Sequence, residues 1–307
     1  MNFVNINILE DYAVNIENIL RCFPKHIKPF IEKEELTNLE EIRVRNNLPL
    51  ILKIGQAEKI IQYKITTDDI NFIFQKICEN SIYTYQNQIA KGFVTIQGGN
   101  RVGIVGTAVI QDDKVINLNY ISGLNFRISS QITGCSDKII KEIINPEDNS
   151  IYNTLIIGMP GTGKTTLLKD IIRNISNGFI YGDDKFSGLN VSVIDERGEI
   201  SAMYRGTAQN NLGIRTDVLN DIPKAIGMKM AVRSMNPKVI VADEIGGKDD
   251  ADAIRYAMRC GVKGIFSAHG TGKEDIMQNA ELKELITQNI FERFITINKK
   301  REYKVET

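Results

Sequence analysis

The stretch TLIIGMPGTGKTTLLKDII, Thr154 to Ile172, constrains this chain more than any other part of it. A short apolar, β-branched run enters a glycine-rich turn, and the turn enters an apolar periodicity of helical spacing. A strand that apolar has no side to offer water, so it belongs in a parallel sheet covered on both faces. The turn meets the pattern G-x-x-x-x-G-K-[ST] through Gly158, Gly163, Lys164 and Thr165, in the strand–loop–helix setting the pattern requires. Glycines let backbone N–H groups turn inward around phosphates, and a helix N-terminus adds its dipole. On this reading Lys164 neutralises the β- and γ-phosphates of a nucleotide and the Thr165 hydroxyl ligates Mg²⁺. The bland alternative is a glycine-rich turn that merely precedes a helix.

The same architecture extends downstream. VSVID, KVIVADE and KGIFSAH are further short apolar runs separated by helical segments, so residues 150–307 are expected to form an α/β domain. Residues 1–145 read differently. NLEEIRVRNNLPLILKI suggests a strand, a turn carrying Pro49 and a second strand. TTDDINFIFQKICENSIYTYQ has helical spacing after Thr67 as N-cap, and KGFVTIQGGNRVGIVGTAVIQDDKVINL suggests a meander broken at Gly98-Gly99 and Asp112-Asp113. This half is expected to be α+β with an antiparallel sheet. The polar stretch Asn145–Ser150 is the expected boundary, and KKREYKVET is a final strand or a frayed tail.

Composition narrows the partners. The chain of 307 residues carries 38 basic and 38 acidic residues, so no global field draws it to nucleic acid or anionic lipid. The 4 cysteines form no CxxC pair, and His26 and His269 are the only histidines, which argues against a zinc module and fits a reducing cytosol. MNFVNINILEDY lacks the basic-then-apolar layout of a signal peptide, and no apolar run approaches the ~18–20 residues of a spanning helix. The expectation is a cytoplasmic protein that reaches a membrane, if at all, through partners at its inner face.

Three acidic or basic features converge on the phosphate loop. KVIVADEIG puts Asp243 and Glu244 at the carboxyl end of a buried strand, where Asp243 would hold Mg²⁺ through water and Glu244 would polarise the attacking water. The alternative is an acidic strand end that caps the next helix. VIDERGE brings Asp195, Glu196 and Glu199 to the same sheet edge; alone it would be a solvated acidic loop, and beside a phosphate loop it gains weight. His269 ends GIFSAH there too, either as a γ-phosphate sensor or as a structural histidine. Arg101 and Arg127 sit on apolar strands of the first half; strand arginines are ordinarily solvated or paired, and a phosphate-facing role across a domain or subunit junction is the alternative.

Taken in order, the phosphate loop, VIDERGE, RSMNPKVIVADEIG and FSAHG resemble the secretion ATPases of type II and type IV machines. EEIRVR, GGNRVGIVGTAV, GLNFRIS, GIRTDVL, PKAIGMKMAVRSM and GVKGIFSAHG resemble more closely the stage III sporulation protein AA family of endospore-forming bacteria. That resemblance implies a RecA-like P-loop ATPase domain behind a smaller α+β N-terminal domain, assembled as a ring, a homohexamer. It implies ATP and Mg²⁺ as cofactors and, as partners, membrane-protein components of a channel between mother cell and forespore. It carries nucleotide contacts onto Gly161, Gly163, Lys164, Thr165 and Thr166, in a loop that also holds Gly158, Pro160 and Thr162. It makes Asp195, Glu196 and Glu199 the acidic box and Glu244 the hydrolytic acid, and it adds weight to His269, Arg101, Arg127 and, further, Arg233. Two departures stand out: Ile245-Gly246-Gly247 follow Glu244 where secretion ATPases usually carry an arginine, and the four-cysteine zinc module of many of them is missing.

Two other classes of function fit the same motifs. RecA-like rings also drive nucleic-acid motors, although the balanced charge and the lack of an aromatic-plus-basic strand speak against nucleic acid as a partner. A nucleotide-ordered scaffold with little turnover would also carry a phosphate loop, and Glu244 argues against that. A small-molecule kinase is a weaker third possibility, since the C-terminal half shows no lid-like arginine cluster and no second substrate signature. No NKxD-like guanine reader is visible, so ATP is the expected nucleotide.

Overall fold

The computed structural model describes residues 15–307 apart from 35, 37, 130, 182 and 183, so MNFVNINILEDY lies outside the described residues. The chain divides into two compact units: Met1–Ser130 with Ala202–Gln209, and Gln131–Ser201 with Asn210–Thr307.

The first unit is built on a six-stranded antiparallel sheet. Its strands are β1 (Leu39–Arg45), β2 (Pro49–Ile54), β3 (Ala57–Lys64), β4 (Phe93–Ile96), β5 (Asn100–Gln111) and β6 (Lys114–Arg127), ordered β3-β2-β1-β6-β5-β4. Pro49 opens β2 and does not sit inside the turn, the first strand position being one that tolerates a residue without an N–H. Inward side chains such as Ile42, Val44, Leu52 and Phe126 pack on Ile70, Ile73 and Ile77 of the helix Thr67–Ile77. That helix is capped by Thr66 and not by Thr67. The Thr66 hydroxyl accepts from the Asp69 N–H at 3.1 Å, and Asp69 Oδ2 accepts from the Thr66 N–H at 2.9 Å. Only Thr66 has a carboxylate three residues on, which is what a capping box needs. The excursion Ala202–Gln209 belongs to this unit because Tyr204 and Arg205 both engage the Glu79 carboxylate and Gln209 Oε1 accepts from the Gly98 N–H at 2.9 Å.

The second unit holds β7 (Ile144–Asn145), β8 (Ser150–Ile151), β9 (Thr154–Gly158), β10 (Gly178–Tyr181), β11 (Asp184–Ser187), β12 (Val191–Asp195), β13 (Thr216–Asn220), β14 (Val239–Ala242), β15 (Lys263–His269), β16 (Arg293–Ile297) and β17 (Tyr303–Glu306). Its main sheet runs β13-β12-β14-β15-β9-β16-β17, parallel from β13 to β16, with β17 antiparallel at the edge. The final charged stretch is thus a strand. Asn145–Ser150, expected as a boundary, forms the small β7–β8 hairpin inside this unit.

Every residue of β9, β12 and β14 is buried, as a sheet covered on both faces requires. Alternate side chains enter two cores. Ile156, Val193, Val241 and Ile265 meet Leu168, Ile171 and Ile175 of the helix Lys164–Asn177. Leu155, Ile157, Ile194, Ile240 and Phe266 meet the helices Lys224–Ser234, Lys248–Arg259 and Ala280–Thr287. This doubly covered parallel sheet fixes the carboxyl ends of β9, β12, β14 and β15 along one edge, where the α/β rule places ligands.

Candidate nucleotide site

The β9 loop has the backbone of a phosphate cradle. Gly161 and Gly163 take φ values of 78° and 100°, in the left-handed region that side chains avoid. Added Cβ atoms there would meet nothing within 4 Å, so it is backbone conformation and not crowding that calls for glycine. Gly158 answers to crowding: a Cβ would lie 2.6 Å from Thr162 Oγ1. The helix Lys164–Asn177 begins at Gly163 with no side-chain cap, leaving its first N–H groups aimed along the loop.

Lys164 is buried, at 5% exposure, and its Nζ donates to Gly158 O at 2.7 Å and Met159 O at 3.1 Å. Burial pushes its pKa down, with Asp243 and Glu244 pulling the other way. Its third contact is His269 Nδ1 at 3.1 Å. An ammonium has no acceptor, so with Lys164 protonated Nδ1 accepts, and the ring donates its Nε2–H to Glu244 Oε1 at 2.8 Å. Arg197 engages the other carboxylate oxygen, Oε2. Four side chains thus run in sequence from the phosphate loop to the β12 turn: Lys164, His269, Glu244, Arg197.

Glu244 itself has φ of 51°, sparsely populated for a residue with a side chain. Its N–H is held by Asp243 Oδ1 at 3.0 Å and Ser267 Oγ at 2.9 Å, and Ser267 also donates to Asp243 Oδ1. Asp243 Oδ2 accepts from the Thr165 hydroxyl at 2.7 Å, which joins the β14 end to the start of the loop helix.

The β12 turn divides its acids. Asp195, 2% exposed, accepts from the N–H groups of Glu199 (2.9 Å), Ile200 (3.2 Å) and Ser201 (2.7 Å) and from the Ser201 hydroxyl (2.6 Å). Its carboxylate is engaged within its own turn. Glu196 pairs with Lys224 at 2.5 Å. Asp195, Glu196, Arg197, Glu199, Lys224, Asp243 and Glu244 all line one narrow cleft at this edge.

The structure therefore gathers Gly158 to Thr165, Glu196, Glu199, Asp243, Glu244 and His269 on one edge of the second unit. Arg101 and Arg127 lie on the first unit, directly opposite each other on β5 and β6, with the Arg101 guanidinium 4.7 Å from the Phe93 ring centre. Arg233, on the helix Lys224–Ser234, lies over Tyr256 with the guanidinium 6.0 Å from the ring centre. Sequence reasoning missed Arg197 and Lys224. Their one signal was position: Arg197 stands inside the acidic run, and Lys224 starts the helix that follows β13.

Fold and site together define a structural class: a RecA-like α/β sheet with a phosphate-loop motif after β9. Within that class, the chain belongs to the family described as sporulation stage III, protein AA, whose model matches residues 13–305. Stage III sporulation protein AA of Bacillus subtilis (strain 168) is 37% identical over 270 residues, covering 88% of this chain and 85% of that protein. Among solved structures, the ATPase DotB of Legionella pneumophila is 15% identical with a TM-score of 0.58, covering 92% of this chain and 79% of that one. The pilus retraction motor PilT with bound ADP is also 15% identical, with a TM-score of 0.55, covering 89% and 76%. At that identity these two bear on the fold alone. Among the described residues, no helix is long and apolar enough to cross a membrane.

Proposed function

We propose that this chain hydrolyses ATP at the β9 loop to power or assemble a membrane secretion apparatus, the channel between mother cell and forespore in a sporulating cell. One observation carries the reading. A glycine-opened loop, a hydroxyl–carboxylate pair at 2.7 Å and a second, side-chain-held carboxylate meet on one sheet edge. A static phosphate-binding turn has no use for the last of these.

The roles follow from the chemistry of each group. The N–H groups of Gly161 to Thr166 bind and orient the phosphates, and Lys164 exchanges its loop carbonyls for phosphate oxygens. Thr165 and Asp243 offer the hard oxygen donors that Mg²⁺ takes, and a bound ion would offset negative charge on the phosphates. Glu244 orients the attacking water and takes its proton. His269, bonded to both Lys164 and Glu244, senses the γ-phosphate. Glu196 and Glu199 shape the cleft beside them.

The Bacillus relative, a stage III sporulation protein, supports the sporulation part of this reading, and the fold shared with DotB, an ATPase, and PilT, a pilus retraction motor, is compatible with the rest. Arg101 and Arg127 would complete the phosphate site within a ring, a homohexamer, that docks on membrane-protein partners at the inner face of the membrane. The test is Mg²⁺-dependent ATP turnover over a protein concentration series, beside Lys164→Ala and with single-stranded DNA added. Specific activity that rises with concentration and vanishes in Lys164→Ala supports the proposal. Equal turnover in the two proteins would sink it, and strong, salt-sensitive stimulation by DNA would move it to a nucleic-acid motor.

A further inference from the structure

We propose that Arg197 is a positioning residue for the hydrolytic carboxylate: Arg197 and His269 each hold one oxygen of Glu244 and together fix the plane in which it meets water. This rests on the reading of Glu244 as the base.

The backbone of Glu244 is already pinned by Asp243 and Ser267. Its side chain is not, because three rotatable bonds separate the backbone from the carboxylate, and ordering such a chain costs conformational entropy. His269 restrains Oε1 but leaves the carboxylate free to rotate about that single contact. A second donor on Oε2 removes that freedom, and Arg197 supplies it. A base acts on water only from a narrow range of orientations, and small misplacements cost rate steeply.

Arg197 is suited to this by what holds its neighbours. Asp195 closes the turn around it with four accepted hydrogen bonds. Gly198, at φ 64°, reverses the chain immediately after it, and its N–H returns to Asp195 O at 3.3 Å. Glu196, immediately before it, is tied to Lys224. Residue 197 is the tip between two anchored neighbours. A guanidinium also presents its donors in a planar fork that matches a carboxylate oxygen's lone pairs.

The magnitude separates this role from a structural one. The Arg197 side chain is 62% exposed, and an exposed ion pair contributes little to folding. Its removal should therefore register in kcat and hardly at all in stability. For Arg197→Ala we expect kcat for ATP to fall about 5- to 20-fold while KM and the binding of a fluorescent ATP analogue change less than about 2-fold. Arg197→Lys, which keeps the charge and loses the fork, should fall between. In a Glu244→Asp background, one methylene short of Arg197, the added loss from Arg197→Ala should shrink below about 2-fold, since the two residues act as a unit.

A wild-type or raised kcat in Arg197→Ala would overturn the proposal. So would a loss carried by KM or by the melting temperature, or an undiminished loss in the Glu244→Asp background. Glu244→Gln separates this from failure of the underlying reading. If Glu244→Gln is inactive and Arg197→Ala is wild type, only the positioning role fails; if Glu244→Gln turns over normally, both fail.

Discussion

Two neighbouring strands of the large sheet lead into an aspartate at the same level. Ile194 of β12 pairs with Ala242 of β14, so Asp195 and Asp243 are the next residues of parallel, adjacent strands. Their fates differ. Asp195 turns inward and is saturated by donors from its own turn, three of them backbone N–H groups. Asp243 takes its donors from the side chains of Thr165 and Ser267 and from the next N–H, so it is the one that joins separate elements. An acid's availability is thus decided by how many fixed donors surround it, not by its place at a strand end. A carboxylate enclosed by backbone N–H groups is part of the fold, whereas one shared between rotatable side chains can exchange them for a ligand.

Amide substitutions break the comparison most sharply. Asp243→Asn should cut Mg²⁺-dependent turnover by about 100-fold or more while shifting the unfolding free energy by less than about 1 kcal/mol, measured by ATPase assay and urea titration side by side. Asp195→Asn should do the reverse. Its amide group faces Ser201 donors with donors of its own, a mismatch that costs about 1–3 kcal/mol of stability. Nucleotide affinity in the folded protein should change little. A large stability loss at Asp243, or none at Asp195, would erase the distinction.

Asp170 sharpens it by pH. This aspartate of the loop helix is fully buried, which alone would raise its pKa, yet the N–H and hydroxyl of Ser136 and the Arg173 guanidinium hold it below the usual carboxylate range. A carboxyl lowered by folding binds its proton more weakly in the folded state. Its stabilisation is complete above about pH 4 and is lost as pH falls through the folded value. Denaturation followed from neutral pH downward should show that loss in the wild type and a flatter profile in Asp170→Asn. Parallel profiles would mean that Asp170 does not belong with the saturated class.

The strands that build the site are plain in the amino-acid sequence. TLIIG, VSVID, KVIVA and KGIFSAH are strands where their apolar runs end, because a strand buried on both faces writes its length directly into the residues. The phosphate loop is legible because glycines at φ 78° and 100° have few substitutes. What charge does not reveal is direction. Asp195, Glu196 and Glu199 look alike in VIDERGE, and only the path of the turn sends Asp195 inward and Arg197 toward Glu244. The excursion Ala202–Gln209 is equally hidden, since its allegiance to the first unit rests on Glu79 and Gly98, more than 100 residues away in sequence. The Thr66 cap, by contrast, has a signal in the Thr66-x-x-Asp69 spacing.

The most direct test of the central claim is the fate of ATP bound to Glu244→Gln. The protein would be mixed with labelled ATP and Mg²⁺, separated from free nucleotide, and its bound nucleotide identified over time against the wild type. The variant is expected to bind ATP as tightly as the wild type and to retain it uncleaved, while the wild type yields ADP. ADP formed at the wild-type rate in Glu244→Gln would contradict it.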